Sequence, residues 1–272
     1  MAADLTSDDL TVSEPEAASA RARNARPPHW YRFVFVYGVL GAVLAAAVAG
    51  VVIYAGRSIS PAPVWSSWRP SGGGLGAAKN IADTVGKEYR LPGGSQLVDV
   101  IAKAPSVAGG TTTNGQVPIH FFAIHTSGGD QIYPVSSTDS VMYQLCGLGP
   151  SCSIATGKPS VARGTLVRRE VLELALYTFK YVGGINSIVA FMPPSSATAT
   201  QYAVFLQKSE LKPQLKTPLA QTLSSKTPLP SAIPAREVRT IDATTEARIY
   251  TFGVAQAQTG DLVLVFKPLP AS

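Results

Sequence analysis

The side chains best suited to chemistry are few. The chain has two cysteines, Cys146 and Cys152, and two histidines beyond its first sixty residues, His120 and His125. The cysteines lie six positions apart around GLGPS. A redox pair normally reads C-x-x-C, and a structural zinc needs about four ligands, which this set does not supply. In an oxidising compartment such a pair defaults to a disulfide. It closes a loop of about seven residues, for which the chain-entropy relation gives roughly 2 kcal/mol. Gly147, Gly149 and Pro150 supply the tight backbone that closure needs. His120 and His125 fall on a stretch that reads as a strand. Residues an odd number apart on a regular strand face opposite sides, so these two cannot share a metal unless a β-bulge intervenes. Neither a metal nor a cofactor is expected.

Serine chemistry has little to stand on. There is no G-x-S-x-G elbow. Ser209 and Lys212 spell the S-x-x-K of penicillin-binding enzymes, but the accompanying S-D-N and K-T-G are missing. The order His125, Cys146, Arg163 resembles the trio of membrane-anchored cysteine transpeptidases of the sortase type. That resemblance implies a thiolate nucleophile assisted by a histidine and an arginine. The chain departs from the pattern in three ways: the cysteine is close to the histidine, the arginine is far from the cysteine, and the T-L-x-T-C context is absent. A second cysteine also stands ready to pair with the nucleophile. An envelope enzyme of this kind is therefore the alternative reading, not the leading one.

The elements that must position these residues start with an anchor. The 24 residues Phe33–Gly56 carry no charge and read FVFVYGVLGAVLAAAVAGVVIYAG. As a helix they span about 36 Å, enough to cross a hydrocarbon core of about 30 Å. Trp30, Tyr31, Tyr37 and Tyr54 suit the two interfaces. The run is longer than the apolar region of a signal peptide, and a polar tail precedes it. Ile53-Tyr54-Ala55 could pass as a cleavage site, but an uncleaved anchor is the stronger reading. No cysteine follows closely enough for a lipid anchor. Arg21, Arg23, Arg26 and Arg32 precede the segment, and only Arg57 and Arg69 follow closely. Basic flanks stay in the cytoplasm, so the bulk of the chain is expected outside. Residues 1–28 read as a disordered cytoplasmic tail, 29–56 as the membrane helix, 57–74 as a linker, and 75–272 as one extracytoplasmic domain. Trp65 and Trp68 in the linker either lie at the membrane surface or dock on the domain.

The outer part reads as α+β, with about seven strands and two main helices. Apolar positions from Leu75 to Tyr89 have helical spacing and stop at LPGG. A longer helix runs from a Ser160 cap to Gly183-Gly184. Strands are expected within QLVDVIAKA, VPIHFFAIHT, QIYPV, INSIVAFM, TQYAVFLQ, ARIYTFGVA and DLVLVFKP, the last two as a hairpin. Thr138–Leu145 reads as a short helix. Residues 208–236 are rich in proline and lysine, which excludes an inner strand and leaves a docked wrap or an exposed arm.

Residues 57–272 hold 19 Lys and Arg against 12 Asp and Glu. This basic balance suits lipid headgroups or an anionic envelope polymer. No zinc-finger spacing or RNA-binding motif supports nucleic acid as a partner. The candidate contacts for a partner are Arg163, Arg168, Arg169 and Lys180 on the long helix, and Lys208, Lys212, Lys216 and Lys226 on the wrap. Arg169 and Glu173 are expected to form an exposed pair one turn apart. The leading expectation is a single-pass, bacterial envelope protein. It acts as a non-catalytic scaffold or accessory subunit that binds a protein partner or an anionic polymer. A further alternative is an accessory subunit of a transport or secretion complex, held through its membrane helix.

Overall fold

The structure is a computed structural model that describes residues 30–56, 64–109, 115–126 and 131–270. The expected tail, Arg57, and residues 110–114 and 127–130 lie outside the described residues. The chain divides into two compact units, Met1–Ala62 and Pro63–Ser272.

The first unit contains one helix, α1 (Trp30–Gly56). Among the described residues it is the one helix long and apolar enough to cross a membrane. Its side chains from Trp30 to Tyr54 are exposed, as a lipid-facing helix requires.

The second unit is a mixed α/β domain. Helix α2 (Gly74–Glu88) leads into β1 (Asp99–Lys103), β2 (Ser106–Ala108), β3 (Gln116–His125), β4 (Ile132–Ser136) and β5 (Ser140–Cys146). Helix α3 (Val161–Tyr181) crosses over to β6 (Ser187–Phe191), which turns back into β7 (Tyr202–Gln207). Three further helices follow, α4 (Lys212–Lys216), α5 (Leu219–Thr222) and α6 (Ala235–Thr245). The hairpin β8 (Ile249–Gln256) and β9 (Leu262–Pro268) ends the sheet. The nine strands pair in the order β1-β5-β6-β7-β8-β9-β3-β2, with β4 also on β3. Among the described strands only β5–β6 and β3–β9 are parallel.

The Ile119 N–H donates to the Pro105 carbonyl at 3.0 Å, which extends the β2–β3 ladder by one residue. One face holds an aromatic cluster, with Phe122 6.0 Å from both Phe205 and Phe266 between ring centroids. The other face is covered by α2 and α3, through residues such as Ile81, Val85, Leu166, Leu174 and Phe179. Both tryptophans dock on this side. Trp65 packs edge-on against Tyr177 at 5.4 Å, and Trp68 against the same ring at 5.0 Å.

One expectation fails here for a physical reason. Thr138–Leu145 is not a helix; its core is strand β5, paired on one edge to β1 and on the other to β6. Val141, Tyr143 and Leu145 join the helix-side core, while Met142 joins the aromatic one. Burial on both faces erases the alternation that marks a strand. The segment 208–236 is ordered, with Leu211, Leu219 and Leu223 buried. Its last two residues open α6, a third substantial helix. The apolar face of α6 is little more than Ile241, so its periodic signal is weak.

Candidate functional site

The staple at the end of β5 sets the geometry of a cleft. Cys146 and Cys152 are joined as a disulfide. A Cβ on Gly147 or Gly149 would fall 2.6 or 2.9 Å from the Ser153 carbonyl oxygen, so both positions require glycine. Gly147 donates to the Cys152 carbonyl at 2.8 Å, and Ile154 donates to the Pro194 carbonyl at 3.2 Å. The second bond ties this loop to the β6–β7 connection. The chain then enters α3. Ser160 caps the helix by accepting from the Arg163 N–H at 3.2 Å. The N–H groups of Val161 and Ala162 are left without an intrahelical acceptor, as at any helix start.

Between that helix start and the β6–β7 connection lies an open cavity of about 220 Å³. Its walls are mainly apolar, with Ile154, Val167, Met192 and Tyr202 joined by Pro159, Pro193 and Pro194. Arg163 lines it and is only 7% exposed. Its Nη1 donates to the Thr156 carbonyl. Among the described residues no carboxylate forms an ion pair with it. Burial draws the guanidinium below its ordinary pKa. Gly164 also lines the cavity, and nothing lies within 4 Å of where its Cβ would be.

A second polar cluster sits deeper on the same helix. Arg169 is fully buried. Its Nε meets Glu237 Oε1 at 2.5 Å, its Nη1 meets Glu173 Oε2 at 3.0 Å and the Tyr89 hydroxyl, and its Nη2 donates to the Ser224 carbonyl at 2.8 Å. Ser224 Oγ donates to the other oxygen of Glu237 at 2.6 Å. Burial opposes the charge on Arg169, but Tyr89, Glu173 and Glu237 outweigh it and hold the guanidinium protonated. The neighbouring Glu170 is also fully buried, and among the described residues neither of its carboxylate oxygens finds a hydrogen-bond partner. Burial, then the charge of Glu173, raises its pKa well above the usual carboxylate range.

This corrects the expected basic face of α3. Arg169 and Glu173 are not an exposed surface pair, because α6 and the wrap close over Arg169. Arg168 is committed to Asp242 at 2.7 Å. Lys180 is exposed, but its Nζ donates to the Leu215 carbonyl at 2.9 Å. Arg168 and Arg169 tie α6 to the helix, Arg169 and Lys180 also hold the wrap, and of the three only Lys180 is exposed. On the wrap itself, Lys212, Lys216 and Lys226 are exposed and Lys208 is half-buried.

The histidines also differ from expectation. The pairing of β3 with β9 slips between Ile119 and Phe121, and both His120 and Phe121 are exposed. That bulge shifts the alternation by one and returns His125 to the face of His120. About four strand steps still separate them, roughly 13 Å, too far to share a metal. Among the described residues no group of three or more potential metal ligands comes together. His120 Nδ1 lies 3.4 Å from Asp261 Oδ1 instead. Cys146, the nucleophile of the transpeptidase-like reading, is occupied by Cys152, and among the described residues no cysteine is free.

Sequence reasoning picked out the staple and named Arg163, which lines the cavity, but did not single out Gly164, Met192, Tyr202 or Glu237. A glycine in the first turn of a strong helix was the one available signal. No protein-family model matches the chain, and no curated protein or solved structure shows significant similarity to it.

Proposed function

We propose that the protein is a membrane-anchored, non-catalytic binding module of a bacterial envelope, serving as a scaffold or accessory subunit. In this reading α1 is an uncleaved anchor with the N-terminus in the cytoplasm, and the second unit is displayed outside. The arginines before α1 support that orientation, and the disulfide supports an oxidising compartment. The observation that carries the binding role is Arg163. It is a buried cation at the wall of an open, mainly apolar cavity, held by one backbone carbonyl and, among the described residues, by no carboxylate, which supports an anionic group as its partner.

The test is site-specific photo-crosslinking in intact cells, from Tyr202 at the cleft, Lys216 on the wrap and Val39 on α1. The expected result is a partner captured from Tyr202 and lost when Gly164→Leu fills the cavity. Capture from Val39 alone would move the binding role to the membrane helix, as in a transport or secretion complex. A second reading rests on the exposed Lys212, Lys216 and Lys226, which suit an anionic polymer. It requires retention on such a polymer that weakens steeply with salt and falls when the three lysines are changed to glutamine. Protease added to intact cells should digest the second unit and spare the tail; the reverse pattern would overturn the orientation.

A further inference from the structure

Among the described residues, the first buried side chain of the second unit is Trp65, and its contacts fix where the chain enters the domain. Its Nε1 donates to the Gln214 carbonyl at 3.3 Å, and its own carbonyl accepts from the Leu219 N–H at 2.7 Å. Its ring packs edge-on against Tyr177 at 5.4 Å and Tyr181 at 5.6 Å. Four cations gather around these same residues. Lys180 Nζ lies 5.5 Å from the centre of the Trp65 ring, and the Arg69 guanidinium 5.9 Å from that of Tyr181. Lys212 and Lys216 flank Gln214 on α4, four positions apart and so on one face of that helix. All four are exposed, and among the described residues no carboxylate forms an ion pair with any of them. Glu210, the acid next to α4 in sequence, pairs with Arg248 at 2.9 Å instead.

We propose that this collar of Arg69, Lys180, Lys212 and Lys216 docks the second unit on anionic lipid headgroups of the bilayer that holds α1, a step that rests on α1 being an uncleaved anchor. Two observations select a lipid surface over a soluble polyanion. The first is the tether. Nine steps of chain separate Gly56 from Trp65, a covalent reach of at most about 30 Å. The headgroups of that bilayer therefore meet the entry point at high effective concentration. The second is the company the cations keep. Trp68 and Tyr181, half-buried beside them, are amphipathic aromatics of the kind that favour a membrane interface, and Val64 next to Trp65 is 65% exposed. The collar is separate from the cleft: none of its four cations lines that cavity, and Lys180 lies in the last turn of α3, at the far end from Arg163.

The test uses the full chain, with its disulfide intact, in nanodiscs of zwitterionic lipid with or without anionic phospholipid. A dye on Ala220→Cys, exposed and next to Leu219, reports energy transfer to an acceptor carried on the headgroups. Transfer should be higher with the anionic lipid at low salt and fall to the zwitterionic level at high salt. Each cation held at an anionic surface contributes about fivefold to the ratio of docked to free domain. Lys212→Gln/Lys216→Gln should therefore lower that ratio roughly thirtyfold while keeping the wild-type melting profile. Lys158→Gln/Lys267→Gln removes the same charge before the start of α3 and on β9, both exposed, and should leave the ratio unchanged. Equal transfer in both bilayers overturns the proposal, and so does a preference that both double variants lose alike or that neither loses. Loss of transfer on adding polyphosphate, at a phosphate concentration below that of the anionic lipid, would assign the collar to a soluble polymer and also overturn it. The anchor has a separate fate. A chain that stays with the nanodisc at high salt but shows no lipid preference keeps α1 as the anchor and removes the collar's role, whereas a chain that leaves the disc removes the anchor and the collar's role with it.

Discussion

Arg163 and Arg169 stand six residues apart on one helix, both buried, with opposite surroundings. Arg169 is met by two carboxylates, a tyrosine hydroxyl and a backbone carbonyl, all from the same chain. Arg163 is met by one carbonyl and lines an open, mainly apolar cavity. A cation is retained inside a protein only where something compensates it. Around Arg169 the compensation is internal, and the residue clamps α6 and the wrap onto α3. Around Arg163 it is a single backbone carbonyl, with no carboxylate among the residues lining the cavity.

The largest effect should come from breaking the clamp. Glu237→Ala leaves Arg169 short of a carboxylate, and removing one partner of a buried pair costs about 3–5 kcal/mol. Denaturant titration should show that loss, and the double variant Arg169→Met/Glu237→Leu should recover much of it. If the single and double variants were equally stable, the clamp would not depend on charge pairing. Next in size is the staple. Cys146→Ser/Cys152→Ser should lower stability by about 2 kcal/mol, the value for so short a loop, and should weaken any ligand bound next to Ile154.

Glu170 provides a pH prediction. Its folded-state pKa is raised by burial, then by Glu173, with Arg169 opposing. The folded state therefore holds a proton that the unfolded state releases near pH 4.3. Stability should fall as pH rises above that value toward the raised folded pKa. Glu170→Gln should flatten the fall and be no less stable than wild type at neutral pH. Glu173, raised in the same direction by burial, should account for the slope that remains. A Glu170→Gln variant with the full wild-type slope would show that Glu170 does not carry the titration.

The comparison sharpens at Arg163 itself. Arg163→Met should change stability by about 1 kcal/mol or less, because the lost carbonyl bond is offset by relief of an uncompensated charge. A loss as large as that from Glu237→Ala would make Arg163 a second structural clamp. Smallest of all, Gly164→Ala should raise stability by about 0.5–1 kcal/mol, as expected for glycine replaced by alanine inside a helix. A fall in melting temperature instead would mean that the helix start needs the glycine.

Legibility in the sequence followed how local each signal was. The apolar stretch of α1, the Ser160 cap and the amphipathic spacing of α2 are written in consecutive residues, and each element appears where that spacing puts it. The β8–β9 hairpin is equally local. Strand β5 was hidden because both of its faces are buried, and α6 because its contribution is a buried glutamate more than an apolar stripe. The basic residues of α3 were misjudged for a related reason. Sequence gives their charge, but the segment that covers them arrives some fifty to seventy residues later, with Ser224 and Glu237.

By itself, the sequence determined a long apolar helix near the N-terminus, an α+β domain after it, and a cysteine pair with no further metal ligands nearby. These depend on composition and short-range spacing, which act before the chain folds. Only the tertiary structure decided which arginine is answered within the molecule and which is not. That depends on where distant carboxylates come to rest: Glu237 reaches Arg169, and among the described residues no acid pairs with Arg163.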